Sequence, residues 1–287
     1  MRKLASLLLL LSLIAAAKPL FAQTADGDRH YALRAEGAQG GRAKAEHVDA
    51  AIAAYQRAVA QNPGDLDARW KLLRAYRFKG AYVASSNDEK KTIYGTAKTE
   101  GERARAVVER LLTSHGVKSP ASASEKDVAN AARIIPGAAE VYLWDAVNWG
   151  EWALAYGKLA AARQGAADRI RRQATIALLV DPKLEGGAPA RVLGRLHDQT
   201  PHIPFITGWA SSKEAVRFLN ESLRVAPTNK LTMVFLAEAL VDNDSAKKPE
   251  AIRLLRAVVA APNDPNYLVE DAAATDDARR LLRSWGA

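Results

Sequence analysis

The chain contains no cysteine, which excludes disulfides and a cysteine-rich zinc site and leaves stability to buried apolar area. The same absence leaves no thiol to carry a lipid at a processed N-terminus, so a lipoprotein is not expected. Long hydrophobic runs are missing too. The most nearly continuous one, Leu4 to Ala17, has 14 residues, short of the roughly 20 a membrane-spanning helix needs. Only five histidines are present (His30, His47, His115, His197 and His202), and they form neither HExxH nor a close pair on one helix face. His197 and His202 flank Gln199-Thr200-Pro201, which reads as a solvated loop before it reads as a metal site. GxSxG, Walker A and GxGxxG patterns are all lacking. Paired carboxylates such as Asp276-Asp277 sit where they complement a helix start. No catalytic constellation stands out, and neither a metal nor another cofactor is expected.

What the N-terminus does have is Met1-Arg2-Lys3 followed by the short apolar run, the pattern of a secretory signal peptide, with cleavage expected after Ala22. The expected product is exported, free in the periplasm, and about 265 residues long. Removal of Arg2, Lys3 and Lys18 lowers the formal charge from +9 to +6. An exported protein meets little nucleic acid, so acidic ligands or anionic surfaces are the better-fitting partners.

From Gln23 to Ala45 the sequence is rich in Gly, Ala and charge, and reads as a flexible leader ahead of a single domain over 46–287. Beyond it, apolar residues recur at helical spacing to the end, and no long alternation argues a sheet. Ser86-x-x-Glu89, Ser122-x-x-Glu125 and Ser211-x-x-Glu214 fit capping boxes. Prolines fall between the periodic segments. Tetratricopeptide-like repeats place small residues where paired helices cross and a proline after the second helix. Counting back from Pro63 gives Ala51, Tyr55 and Ala58. Pro182 gives Ile170, Ala174 and Ala177, and Pro227 gives Ala215, Leu219 and Ser222. Pro262 gives Leu254 and Ala257 in phase, with Glu250 where alanine is usual. Leu72, Tyr76 and Gly80, and later Leu236, Ala237 and Leu240, suit the first helix of the next pair. Pro227 to Pro262 spans 35 residues, close to the tetratricopeptide period, whereas Pro136 to Pro182 to Pro227 spans 46 and 45. The expected fold is therefore all-α, a tetratricopeptide-like superhelix of degenerate repeats with a concave surface. A terminal helix, Glu270 to Trp285, caps it.

Two segments are denser than a scaffold requires. In Tyr142 to Trp152, three tryptophans and a tyrosine lie within three turns; Trp144, Asn148 and Trp152 share one face by i, i+4, i+8 spacing. They fit core packing, or the wall of an apolar pocket in which Asn148 orients a ligand. In Leu184 to Leu196, Gly186 and Gly187 allow a tight connection, Pro189 suits a first helical turn and Gly194 allows close helix approach. Arg191 and Arg195, four apart, project to one side, toward an anion, a partner carboxylate or solvent.

These segments, with Ser211 to Ala215 after Trp209, Ala226-Pro227-Thr228-Asn229 and Leu236 to Leu240, resemble the T-component family of TRAP (tripartite ATP-independent periplasmic) transporters. The resemblance runs from about Val48 onward and is strongest over 140–260. It implies a periplasmic repeat protein without known enzymatic activity, assembled as a homotrimer and associated with the extracytoplasmic solute-binding protein. It also implies a channel for a hydrophobic, carboxylated ligand. On that basis Tyr142, Trp144, Asn148, Trp152, Arg191, Arg195 and Trp209 are the candidate binding residues. The chain departs from lipoprotein members in lacking the N-terminal cysteine, and has Ala188 and Ala190 where bulkier residues or glycine are common. A general cell-envelope interaction scaffold is the alternative reading.

Overall fold

A computed structural model describes residues 20–203 and 207–287; nearly all of the expected signal peptide lies outside them. Among the described residues there is no sheet, and thirteen α-helices follow one another. Helix α1 (Leu20–Ala32) packs on α2 (Ala45–Gln61), α2 on α3 (Leu66–Phe78), and α3 on α4 (Asn87–Ser114). A short α5 (Glu125–Ala132) leads into α6 (Ala138–Tyr156), which lies against α3, α4 and α8 (Ala166–Val180), with the single-turn α7 (Lys158–Arg163) between. Then α9 (Leu184–Gln199), α10 (Ser212–Val225), α11 (Lys230–Asn243), α12 (Lys248–Ala260) and α13 (Leu268–Trp285) each pack on the preceding helix. Contact between successive helices is what makes a helical-repeat solenoid.

The helix ends follow from local chemistry. α2, α8, α10 and α12 each stop two residues before a proline, where the missing N–H and the ring forbid another turn. Ser86 and Ser211 cap α4 and α10 by accepting from the N–H of Glu89 and Glu214. At α5 the expected cap is displaced. Ser124, not Ser122, accepts from the Asp127 N–H, and its hydroxyl donates to the Asp127 carboxylate at 2.7 Å. Asp127 thus closes a reciprocal pair two residues later than Glu125 would.

The repeat register is right at α2, α8 and α10, whose Ala51, Tyr55 and Ala58, Ile170, Ala174 and Ala177, and Ala215, Leu219 and Ser222 are all buried. At α12 it is one residue off, because the buried set is Ala251, Leu255 and Val258. Lys248 and Pro249 open α12 directly from a 3-10 turn over Ser245–Lys247, so its face is set from its start and not from Pro262.

The segment 23–45 differs from the expected flexible leader. It forms most of α1 and an ordered turn. Its small residues are there for close approach: a Cβ on Gly27 would come within 2.4 Å of the Tyr55 ring, and one on Gly41 within 2.7 Å of the Ala273 Cα. Asp28 accepts from Tyr55 Oη and Lys71 Nζ, each at 2.8 Å. Since Gly41 abuts α13 and Val269 of α13 is buried in the same cluster as Val48, Tyr55 and Leu72, the last helix seats on the first pair. The superhelix closes on itself, and α13 covers both ends of the stack.

Candidate functional site

Most of the aromatic helix is core. α6 is flanked by α3, α4 and α8, and its remaining stripe, Glu140, Trp144, Val147 and Glu151, is only half-buried. Tyr142, Asn148 and Trp152 are buried, and Trp144 is half-buried against the same cluster. Asn148, the polar residue that suggested a ligand, donates from Nδ2 to the carbonyls of Leu73 at 3.0 Å and Trp144 at 2.8 Å. Its role is to tie α6 to α3. Trp152 stacks on Tyr156 at 4.7 Å and meets Trp149 edge-on at 5.6 Å, while the Lys98 ammonium lies 4.6 Å from the Trp149 ring centroid. Tyr142, Asn148 and Trp152 are thus packed inside the protein, and Trp144 is the aromatic of the set that lies on the half-buried stripe.

Trp209 is a latch between elements. Its Nε1 donates to Asp168 of α8 at 3.1 Å, Arg171 covers its ring at 4.7 Å, and His197 of α9 meets it edge-on at 5.2 Å. Arg195 is likewise occupied: it donates to Asp198 and Glu238, both at 2.9 Å, and lies over Phe235 at 4.4 Å.

Arg191 is different, and the start of α9 explains its position. Glu185, Gly186 and Gly187 all take positive φ (47°, 63° and 76°), so the chain turns sharply before regular helix resumes at Ala188 with Pro189 in its first turn. Gly187 packs on Ser222 and Val225, and a Cβ on Gly194 would fall 2.6 Å from Leu219 Cγ. α9 therefore lies closely on α10 and presents Arg191 to the inside of the closed superhelix. The only hydrogen bond of its side chain among the described residues is to Thr232 Oγ1 at 3.3 Å, and it forms no ion pair there.

Around it stand three further arginines, each matched to a glutamate. Arg34 is bonded to Glu270 at 2.9 Å, Arg77 to Glu151 at 3.3 Å, and Arg74 faces Glu185 at 3.7 Å. Tyr31 lies under the guanidinium of Arg74 at 4.2 Å and that of Arg34 at 4.7 Å, and Arg77 donates to Tyr82 Oη at 2.8 Å. Burial pushes the Tyr31 hydroxyl up to about 12. In Arg77, burial opposes the charge, but Tyr82 and Glu151 outweigh it and the pKa is raised. In Arg191, burial and then the charge of Arg77 push the pKa down to about 10, and Glu185, Tyr267 and Tyr82 offset them only in part. Arg77 and Arg191 are surrounded by protein yet keep part of their surface open to water, which is the environment of a lining.

Of these four guanidiniums, Arg191 alone forms no ion pair among the described residues, and a partly desolvated guanidinium holds an anion strongly. The cluster escaped sequence reading because it draws on α1, α3, α6, α9 and α13. The one local signal was Trp70, Arg74 and Arg77 at i, i+4, i+7 on α3. A surface cleft of about 660 Å³ on the outside of α10 is lined by Lys183, Arg217, Glu221, Arg224 and Val225, but its cations stand in open solvent, where pairing is weak.

Comparison with protein-family models and with curated proteins found no match. Among solved structures, the chain is similar to one described as the TPR2AB-domain:pHSP90-complex of yeast Sti1, at 14% identity and a TM-score of 0.28, covering 91% of this chain and 98% of that one. The helices and their packing are those of an all-α, tetratricopeptide-like helical-repeat solenoid.

Proposed function

We propose that this protein is an exported binding adaptor of a TRAP-type uptake system, which engages the periplasmic solute-binding protein and holds the carboxylate of a small apolar acid at Arg191. The carrying observation is the unmatched guanidinium of Arg191 inside a closed helical superhelix. An arginine in that position gains a bidentate partner from a carboxylate, and Trp70, Tyr31 and Tyr82 supply apolar surface for the rest of the molecule. The transporter assignment draws support from the segment Leu184 to Leu196 and its flanking resemblance, and with it comes a homotrimeric assembly.

A second reading, a cell-envelope interaction scaffold without a small ligand, is favoured by the burial of the α6 aromatics. Co-purification from periplasmic extract with the chain from Gln23, followed by mass spectrometry, separates the two. Recovery of a solute-binding protein together with an organic acid supports the adaptor. Recovery of envelope proteins alone, with no acid, supports the scaffold.

A further inference from the structure

We propose that His30 and His47 form a binding site for one divalent transition-metal ion of the zinc or copper class. The two residues are 17 apart in sequence, on α1 and α2, and the seating of α1 brings them together. Their Nδ1 atoms are 3.4 Å apart. That is long for a hydrogen bond between side chains, but it matches the separation of two nitrogens on one ion. Ligands at ~2.0–2.1 Å in a tetrahedral site lie roughly 3.3–3.4 Å from each other. The ring centroids are 5.7 Å apart with a 34° tilt, so the Nδ1 edges are the near edges of the two rings. To ligate one ion, each ring must turn about its Cβ–Cγ bond until both lone pairs meet at a point beside the line joining the two nitrogens.

The surroundings fit a metal ligand further. Glu36, on the turn between the two helices, lies 3.2 Å from Nε2 of His47, the nitrogen on the far side of the ring. A carboxylate on the distal nitrogen fixes the tautomer that leaves Nδ1 bare. His47 keeps 22% of its side chain exposed, so an ion can reach the pair and water can complete its shell. Among the described residues no third His, Asp or Glu closes the site, so two protein nitrogens and waters are the expected set. Such a set suits imidazole-preferring ions and not calcium or magnesium. The remaining histidines are placed otherwise. His197 packs between Trp209 and Phe218, His202 bonds the Ala210 carbonyl, and His115 caps α4. An ion at His30 and His47 would clamp α1 onto α2.

The test is calorimetric titration of the chain from Gln23 with zinc chloride and, separately, cupric chloride. One ion per chain is expected. His30→Ala and His47→Ala should each weaken binding by at least roughly tenfold, Glu36→Gln should do so by roughly tenfold, in the range seen for outer-shell carboxylates, and His115→Ala should leave binding unchanged. Electron paramagnetic resonance of the cupric form of the unmutated chain reads the number of ligating nitrogens directly, so the outcome does not depend on a variant folding. Two nitrogens supports the site. Binding by the unmutated chain no tighter than by the His30→Ala/His47→Ala variant, or a cupric spectrum without two nitrogen ligands, overturns it and leaves the pair as a contact between helices.

Discussion

Arg34, on the turn that leaves α1, donates to the Glu270 carboxylate of α13 from Nη2 at 2.9 Å and from Nε at 3.1 Å, across 236 positions of sequence. The pair is largely shielded from solvent (11% and 17% side-chain exposure), and the same guanidinium reaches the Asn266 carbonyl and covers Tyr31. It is a polar bolt across the closure of the superhelix. Arg34→Ala or Glu270→Ala should each lower stability by about 2–3 kcal/mol, the range for hydrogen bonds to charged groups. Both should speed proteolysis within 33–44. Urea unfolding of the two single variants and the double variant checks this, and a double loss close to either single one shows that the residues act as a pair.

Glycine in the middle of a helix is ordinarily improved by alanine, but at Gly194 the sign should reverse. The added methyl would lie 2.6 Å from Leu219 Cγ and 3.1 Å from the Ala215 carbonyl oxygen, so α9 must lift from α10. Gly194→Ala should cost about 1–3 kcal/mol, measured as a lowered Tm with helicity retained.

Asp145 should make stability fall with rising pH. It is fully buried on α6, receives a hydrogen bond from Gln173 at 2.7 Å, and faces Arg105 at 3.4 Å. Burial, only partly offset by Arg105, pushes its pKa up from 3.8 to about 7. Between those values the folded chain holds a proton that the unfolded chain has released, so unfolding free energy declines as pH rises from about 4 to 7. Glu102 adds to the shift, and Arg169 opposes it. Asp145→Asn should flatten this dependence and leave the variant at least as stable as the natural chain at pH 8. Thermal melts from pH 4.5 to 8 read both outcomes.

Substitutions in the aromatic helix should unfold and not unbind. Asn148→Ala removes the donor to the Leu73 and Trp144 carbonyls and should cost about 1–3 kcal/mol; Trp152→Ala should cost about 3–5 kcal/mol. Wherever these variants remain folded, ligand affinity should be unchanged. Calorimetric titration beside a melt separates the two effects.

How far the structure was legible depended on whether a feature is local. The prolines at 63, 182, 227 and 262, and the caps at Ser86 and Ser211, act within one turn of chain, and their helices end or begin as expected. Gly186 and Gly187 announced a turn, and positive φ is what they supply. Composition misled at 23–45, where Gly27 and Gly41 suggested mobility but serve close packing against Tyr55 and Ala273. Large aromatics at 142–152 are equally suited to a core and a pocket wall, and only the neighbours of α6 decide between them. The arginine cluster was hardest to see. Arg34, Arg74, Arg77 and Arg191 meet only when the solenoid closes, and which of them lacks a carboxylate is a fact of three dimensions.

The most direct test of the acid-binding account is titration of the chain from Gln23 with decanoate and with decanol, in parallel with Arg191→Ala. Decanoate should bind the natural chain in clear preference to the alcohol, and Arg191→Ala should weaken it by tenfold or more, about 1.4 kcal/mol. The melting temperature should not fall, because the substitution removes a desolvated, unmatched charge. Equal decanoate binding by both chains, or no preference for the acid over the alcohol, would contradict the account.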